Sequence, residues 1–313
     1  MKILAFKNSK NILPTWLTKH SLKSLILVGL VFFGGSIITR PNPLKFNRGQ
    51  IADLTYDEHA QAVFSYKMDL AIPHGLIPNM SSINKYGKNP DADSGQDNDI
   101  WDLGGTYEFL SAPTVLTLSS ATSTDADGDT GARTVKIFTL DDNWAFASQF
   151  VTMDGLSGVT LTGQHRRVYR AWVETAGSNN GAQATIHAGF GAITDGIPAT
   201  TLAAILPVNN QTLMAIMTVP SGVTGYICRW DIGFDGITGT ARFGEAIIQT
   251  RTNSGVRRIR RIKGLSTDLE AIGDTFHMPI VVEEKQDVIM MVNDLSASNL
   301  VASGDFDMVF INN

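Results

Sequence analysis

The sequence predicts a mainly β protein: two antiparallel β-sandwich or jelly-roll-like domains behind an N-terminal arm. Three observations predict it. From about residue 113 onward, short runs rich in Val, Thr, Ile and aromatics alternate with Gly, Asp, Asn and Ser punctuation. Successive runs lie about 8–14 residues apart, a spacing for hairpins and not for β-α-β units. The charge also divides. Residues 1–50 carry eight Lys and Arg and no Asp or Glu, which leaves 17 basic and 30 acidic residues in 51–313.

The arm is assigned to residues 1–67. It holds the longest apolar run, Leu25–Ile38, bracketed by Lys23 and Arg40. A spanning helix wants roughly 20 apolar residues, so the run is short, and Gly29, Gly34, Gly35 and Ser36 weaken it further. A basic leader precedes it as in a signal peptide, but no A-x-A-like site follows. Three readings stay open: a membrane contact through Leu25–Ile38, an arm buried inside an assembly, or translated sequence upstream of a start at Met68. The body at −13 repels phosphate, so no specific nucleic-acid partner is expected.

Residues 68–105 read as an extended segment with little regular structure, because Pro73, Gly75, Pro78, Gly87, Pro90, Gly95, Gly104 and Gly105 interrupt any period. The first sandwich is assigned to 106–195. Its strands are expected at Thr114–Ser119, Arg133–Leu140, Phe146–Met153, Val159–Thr162, Arg167–Thr175 and Ala184–Ala188. Residues 189–206, rich in Gly, Ala and Thr, read as a connection. The second sandwich or jelly roll is assigned to 207–313. Its strands are expected at Thr212–Val219, Gly225–Asp235, Arg242–Thr252, Val256–Lys263, Met278–Val282, Asp287–Asn293 and Asp305–Ile311. Helical periodicity past residue 80 is faint and confined to Leu265–Ile272.

The chemistry is sparse. Nucleotide-binding, serine-hydrolase and zinc-protease signatures are missing, and the six His are dispersed without ligand spacing. The chain is therefore not expected to be an enzyme, and no organic cofactor is expected. The lone Cys228 sits in an apolar strand and reads as a structural thiol. Asp125, Asp127 and Asp129 alternate around Gly128 and could wrap oxygen ligands around calcium, although Asp and Gly also simply favour turns. A second acidic loop, Asp91 to Asp99, has the same ambiguity. The strongest local charge feature is Arg257, Arg258, Arg260, Arg261 and Lys263. It reads equally as a docking strand for an acidic neighbour and as a charged edge that resists stray pairing. Trp101, Trp144 and Trp172 are the sugar platforms of an alternative reading, a carbohydrate- or receptor-binding surface module, against the commoner buried sandwich Trp.

Several runs carry a resemblance. They are Ser82-Ile83-Asn84-Lys85-Tyr86-Gly87 with Asn89-Pro90-Asp91, Ile100-Trp101-Asp102-Leu103-Gly104-Gly105, Thr130-Gly131-Ala132-Arg133-Thr134-Val135 and Thr175-Ala176-Gly177-Ser178. Gln211-Thr212-Leu213-Met214-Ala215 leading to Val219-Pro220, and the closing Gly304-Asp305-Phe306-Asp307, continue the series. In order and spacing, residues 69–313 resemble a family of uncharacterised virion structural proteins of marine bacteriophages; the arm departs from that pattern. The resemblance implies a capsid-associated cement, decoration or coat protein, assembled in a bacterial host cell and located in the virion. It implies contacts with other virion proteins and a homo-oligomer, expected to be a trimer. The expected interface residues are the basic cluster with Tyr86 and Trp101.

Overall fold

The computed structural model describes residues 68–235, 241–268 and 271–313. The readings of residues 1–67, including the run Leu25–Ile38, lie outside the described residues. Among those described, no helix is long and apolar enough to cross a membrane.

A single helical turn, α1 (Met68–Ala71), leads into strands. They are β1 (Met80–Ala92), β2 (Asn98–Asp99), β3 (Thr117–Ser120), β4 (Ala132–Asp141), β5 (Phe146–Thr152), β6 (Val159–Thr160), β7 (His165–Ala176) and β8 (Ile186–Thr194). Next come β9 (Ile197–Ile205), β10 (Ile216–Thr218), β11 (Val223–Phe234), β12 (Phe243–Arg251), β13 (Arg257–Ser266), β14 (Ile272–Val282), β15 (Asp287–Asn293) and β16 (Leu300–Asn312). They form four antiparallel sheets. Sheet I runs β1-β16-β11-β14. Sheet II runs β10-β15-β12-β13, with β2 also on β15. Sheet III runs β6-β3-β8-β9 and sheet IV runs β5-β4-β7. The mainly β, antiparallel expectation holds.

The expected partition into two independent sandwiches does not appear in that form, and sheet II is the reason. Its strand β15 is buried at six consecutive residues, Asp287–Val292, and β12 is buried from Ala246 to Thr250. Successive strand side chains point to opposite faces, so an unbroken buried run means both faces are covered. Val288, Met290 and Val292 join Trp230, Phe306 and Met308 in a core against sheet I. Ile289 instead joins Ile216, Met214, Leu118 and Val135 in a core with sheets III and IV. Leu140, Trp144 and Tyr169, from the first expected sandwich, pack into the core against sheet I. Sheet II is therefore a shared layer between two cores.

Segment 68–105 is not structureless. It contains the 13-residue β1, paired with β16 from Met80↔Ile311 to Gly87↔Gly304 and on to Asn89↔Ala302. Its inward positions hide the alternation because they are Lys85, Gly87 and Asn89, all buried. The Lys85 amine donates to the Tyr169 carbonyl, and burial lowers its pKa well below the usual lysine value, with Arg170 adding to the effect. Asn89 Nδ2 donates to the Asp99 carbonyl at 3.1 Å. Gly87 lies where β1 crosses the backbone of Ile100 and Ala215, too close for a side chain.

Residues 189–206 likewise form most of a hairpin, β8–β9, and not a connection. Small residues dominate there because the backbones crowd: a Cβ on Gly189 would fall 2.0 Å from the Thr200 carbonyl oxygen. Leu265 and Ile272, which suggested a helical turn, belong to two different strands.

One buried charge cluster ties the layers together. Asp287 of β15 is fully buried and receives Arg167 of β7 through Nε to Oδ1 at 2.9 Å and Nη2 to Oδ2 at 3.3 Å. Arg251 of β12 donates to Oδ2 at 2.8 Å and the Thr218 hydroxyl donates to Oδ1 at 2.6 Å. The Arg167 guanidinium is flanked by the rings of Trp144 (4.9 Å) and Phe109 (5.0 Å), a stacking that desolvated guanidinium favours. Trp144 holds this place from a left-handed backbone conformation, φ 64°. Such a φ is costly for a bulky residue and persists only where packing over-determines it.

Candidate functional site

Two sheets expose their edges on the same side of the molecule. Strand β13 ends sheet II and β14 ends sheet I. They are laced together by three contacts. Lys263 Nζ meets Asp274 Oδ1 at 2.8 Å, Arg261 lies 5.1 Å over the Phe276 ring, and Arg260 Nη2 donates to the Val281 carbonyl at 3.2 Å. Both strands are irregular. In β13 the register with β12 shifts, so that Ile259 opposes Gln249 while Arg261 opposes Ile248 and Ile262 opposes Ile247. Gln249 and Ile247 share a face of β12, so Ile259 and Ile262 share a face of β13. Strict alternation would have separated them. In β14, pairing with β11 jumps from Thr275 to Ile280, and the intervening residues bulge outward.

The double edge is apolar as well as basic. Met278 is 79% exposed, Ile259 58%, Val256 53%, Val281 49% and Ile262 47%. Ile259 and Ile262 share one face of β13, and Val281, between the core-facing Ile280 and Val282, points outward from β14. Of the five expected interface cations, the structure commits several internally. Arg257 pairs with the buried Asp99 at 3.4 Å, and Arg260, Arg261 and Lys263 make the contacts above. Arg258 is exposed and makes no ion pair among the described residues. The bulge residue Met278 and the apolar Val281 were not anticipated. Their signal in the sequence, an apolar residue beside Pro279 in an otherwise alternating strand, is faint.

A second surface is acidic and lies on the outer face of sheet I. The register places Tyr86, Asp305 and Asp231 side by side across β1, β16 and β11, with Asn84, Asp307 and Arg229 in the adjacent row. Like charges directly opposite each other cost free energy unless a counter-ion serves both. Arg229 does so: it pairs with Asp231, with Asp305 at 3.6 Å and with Asp307 at 3.5 Å. Burial raises the Asp305 pKa; Arg229 opposes the rise, and Asp231 and Asp307 add to it. Lys88 pairs with Asp235 at 3.2 Å at the end of the same face. Four carboxylates thus face two cations. Tyr86, an expected interface residue, is 44% exposed and walls an open cleft with Asp231, Asp235 and Asp305.

Other expected site residues fall elsewhere. Trp101 is buried edge-on against Tyr107, ring centroids 5.1 Å apart, and is a core residue unavailable to a partner. Trp144 is buried too, which leaves Trp172 alone of the three sugar-platform candidates partly open. Its ring lies 4.4 Å from that of Phe138, tilted by 43°, beside Lys136 and the exposed Phe150. Asp125 is fully buried and used up as a loop organiser. Its Oδ1 accepts from Ala132 N at 2.8 Å and Gln183 N at 2.9 Å, and its Oδ2 accepts from the Ser120 hydroxyl at 2.7 Å. Asp127 and Asp129 point to solvent. The three carboxylates are not gathered, and among the described residues no group of three or more His, Cys, Asp or Glu is placed to hold a metal ion. The second acidic loop is also engaged: Asp93 accepts from Asn299 N at 3.1 Å, and Asp99 holds Arg257. Cys228 is half-buried beside the β11 register shift, with Sγ 3.5 Å from the Tyr226 carbonyl.

Next to Trp101, Asp102 gives a pH handle. Its Oδ2 accepts from Leu213 N at 2.6 Å while its Oδ1 is buried without a partner. Burial pushes its pKa up to about 7, against the pull of the Leu213 hydrogen bond. The folded state therefore holds a proton that the unfolded state releases near pH 4. The stabilisation is full below that pH and is lost as pH rises towards 7. Asp102→Asn keeps an acceptor for Leu213 and removes the titration. It is expected to flatten the fall in urea midpoint between pH 4 and 7.5 and to leave the variant the more stable protein at pH 7.5.

No family model and no curated protein matches the chain. Among solved structures, it is similar to the structure of the infectious bursal disease virus Gt strain, at 10% identity over 79% of this chain and 78% of that one, TM-score 0.19. The Gx strain structure gives 10% identity, 75% and 72% coverage and a TM-score of 0.21. The infectious bursal disease virus VP2 subviral particle gives 9%, 75% and 73%, TM-score 0.20. Similarity at these TM-scores sets neither the fold nor the role of this chain, which rest on its own sheets and surfaces.

Proposed function

We propose that the protein is a structural component of a bacteriophage virion, a capsid-associated cement, decoration or coat protein that acts through subunit contacts and not through catalysis. The observation that carries the reading is the open double edge. Two neighbouring edge strands expose Ile259, Ile262, Met278 and Val281 together with Arg258. A protein that stayed alone in solution would gain by covering such edges, because unpaired strands with apolar side chains invite association. The ordered resemblance across 69–313 supplies the virion context. Mass spectrometry of purified particles tests it: the chain is expected at a stoichiometry comparable to other shell proteins. Its absence from particles, with the protein found only in the lysate, would overturn the reading.

A second reading is a carbohydrate- or receptor-binding surface module. It is favoured by one observation, the partly open Trp172 tilted against Phe138 beside exposed Phe150 and Lys136. Glycan-array binding that is lost in Trp172→Ala would support it; a blank array would remove it.

A further inference from the structure

We propose that the basic β13 edge of one copy of this chain docks against the acidic outer face of sheet I of a second copy, in a head-to-tail contact. The inference deepens the structural reading above and rests on it. Its basis is charge complementarity between two separate surfaces of one molecule. The edge presents Arg258, which has no ion pair among the described residues, and the exposed Arg261 packed on Phe276, on a body whose residues 51–313 carry 30 acidic and 17 basic residues in all. The face presents Asp231, Asp305 and Asp307, for which the chain supplies the single guanidinium of Arg229, and Tyr86 offers an apolar wall next to them. An incoming arginine completes the partial neutralisation, which is most effective for planar guanidinium against carboxylates.

The same charges reject the symmetric alternative. Pairing β13 with its own copy would set Arg258, Arg260 and Arg261 against their equivalents, and like charges across a strand pair are repulsive. A contact between unlike patches is heterologous, and it closes into a ring when the rotation per subunit divides the circle. That is the geometry a trimer needs, and it uses both surfaces of every subunit.

The test uses the full chain and two exposed positions, Arg258→Glu on the edge and Asp307→Lys on the face. Circular dichroism and the thermal midpoint show that each is folded; if Arg258→Glu is not, Ile262→Asn on the same edge replaces it. Light scattering across a concentration series is expected to show wild type associating, more weakly as salt rises. Each single variant is expected to associate at least ten-fold more weakly. An equimolar mixture keeps one unaltered edge–face contact and sets the carboxylate introduced on the edge against the ammonium introduced on the face in the other, so it is expected to associate more strongly than either variant alone. Wild type that stays monomeric overturns the proposal. So does unchanged association in both variants, or a mixture no better than either variant alone. Detection in particles separates the two ideas. A chain found in virions whose variants assemble normally keeps the structural role and sinks this contact. A chain that self-associates as described but is absent from virions does the reverse.

Discussion

Arg167→Met is expected to lower unfolding stability by about 3 kcal/mol, the low end of what removing one partner of a buried ion pair costs. The Asp287 carboxylate would stay fully buried with Arg251 and Thr218 but without its two-pronged partner. The carbonyls of Leu110 and Arg166, which accept from Nη1 at 3.0 and 2.7 Å, would lose their donor as well. Arg167→Lys should recover only part of the loss. An ammonium can neither span both carboxylate oxygens nor lie flat between Trp144 and Phe109. Urea midpoints at constant slope measure both effects. A shift within about 0.5 kcal/mol for Arg167→Met, the range of an ordinary surface change, would show that the cluster does not hold the layers together.

Gly87→Ala is expected to cost about 3 kcal/mol, the upper part of the range for overfilled interiors. The new methyl would sit 2.2 Å from Ala215 N, 2.5 Å from Ile100 O and 2.9 Å from Met214 C. All three are backbone atoms, so no side chain can swing aside. Two of them form a hydrogen bond with each other, Ala215 N to Ile100 O at 2.8 Å, and the methyl would lie on it. Gly264→Ala is the matched control: it is also in a strand, but a Cβ there meets nothing within 4 Å. The control should unfold within about 0.5 kcal/mol of wild type. Equal midpoints for the two variants would mean that β1 does not cross the 100–215 backbone as described.

The β rhythm was legible where one face of a strand is apolar and the other polar. Strands β4 and β15 were anticipated almost to the residue, the first from its alternation. The buried run Asp287–Val292 also says that both faces of β15 are covered, but only once its two neighbours are known. Strand β1 was invisible because its inward residues are a lysine, a glycine and an asparagine, each justified by a partner far away in sequence. Apart from the start of β8 at Ile186–Ala188, the β8–β9 hairpin was invisible because close backbone contact selects small residues that also suit a linker. Of the candidate site, the cation cluster was legible and its internal commitments were not. Arg257 is separated from Asp99 by more than 150 positions, and no local pattern records that pairing. The acidic face was missed altogether, because Asp231, Asp305 and Asp307 come from two strands and look like ordinary outward-facing residues in each.

The place of β16 in sheet I has a consequence for how the molecule is made. That strand lies between β1 and β11, and its partner β1 begins 220 residues earlier. As the chain leaves the ribosome, β1 and β11 emerge with no strand to join them, and sheet I cannot close until residues 300–312 have followed. Contacts this distant are also slow to form, since the loop entropy must be spent before the pairing returns it. Until then β1 has no strand partner on either side, and nascent chains crowded on one message could pair with each other there. A ribosome stalled short of residue 300 would thus display an aggregation-prone intermediate. Pairing of β16 with both β1 and β11 closes the sheet and removes that exposure.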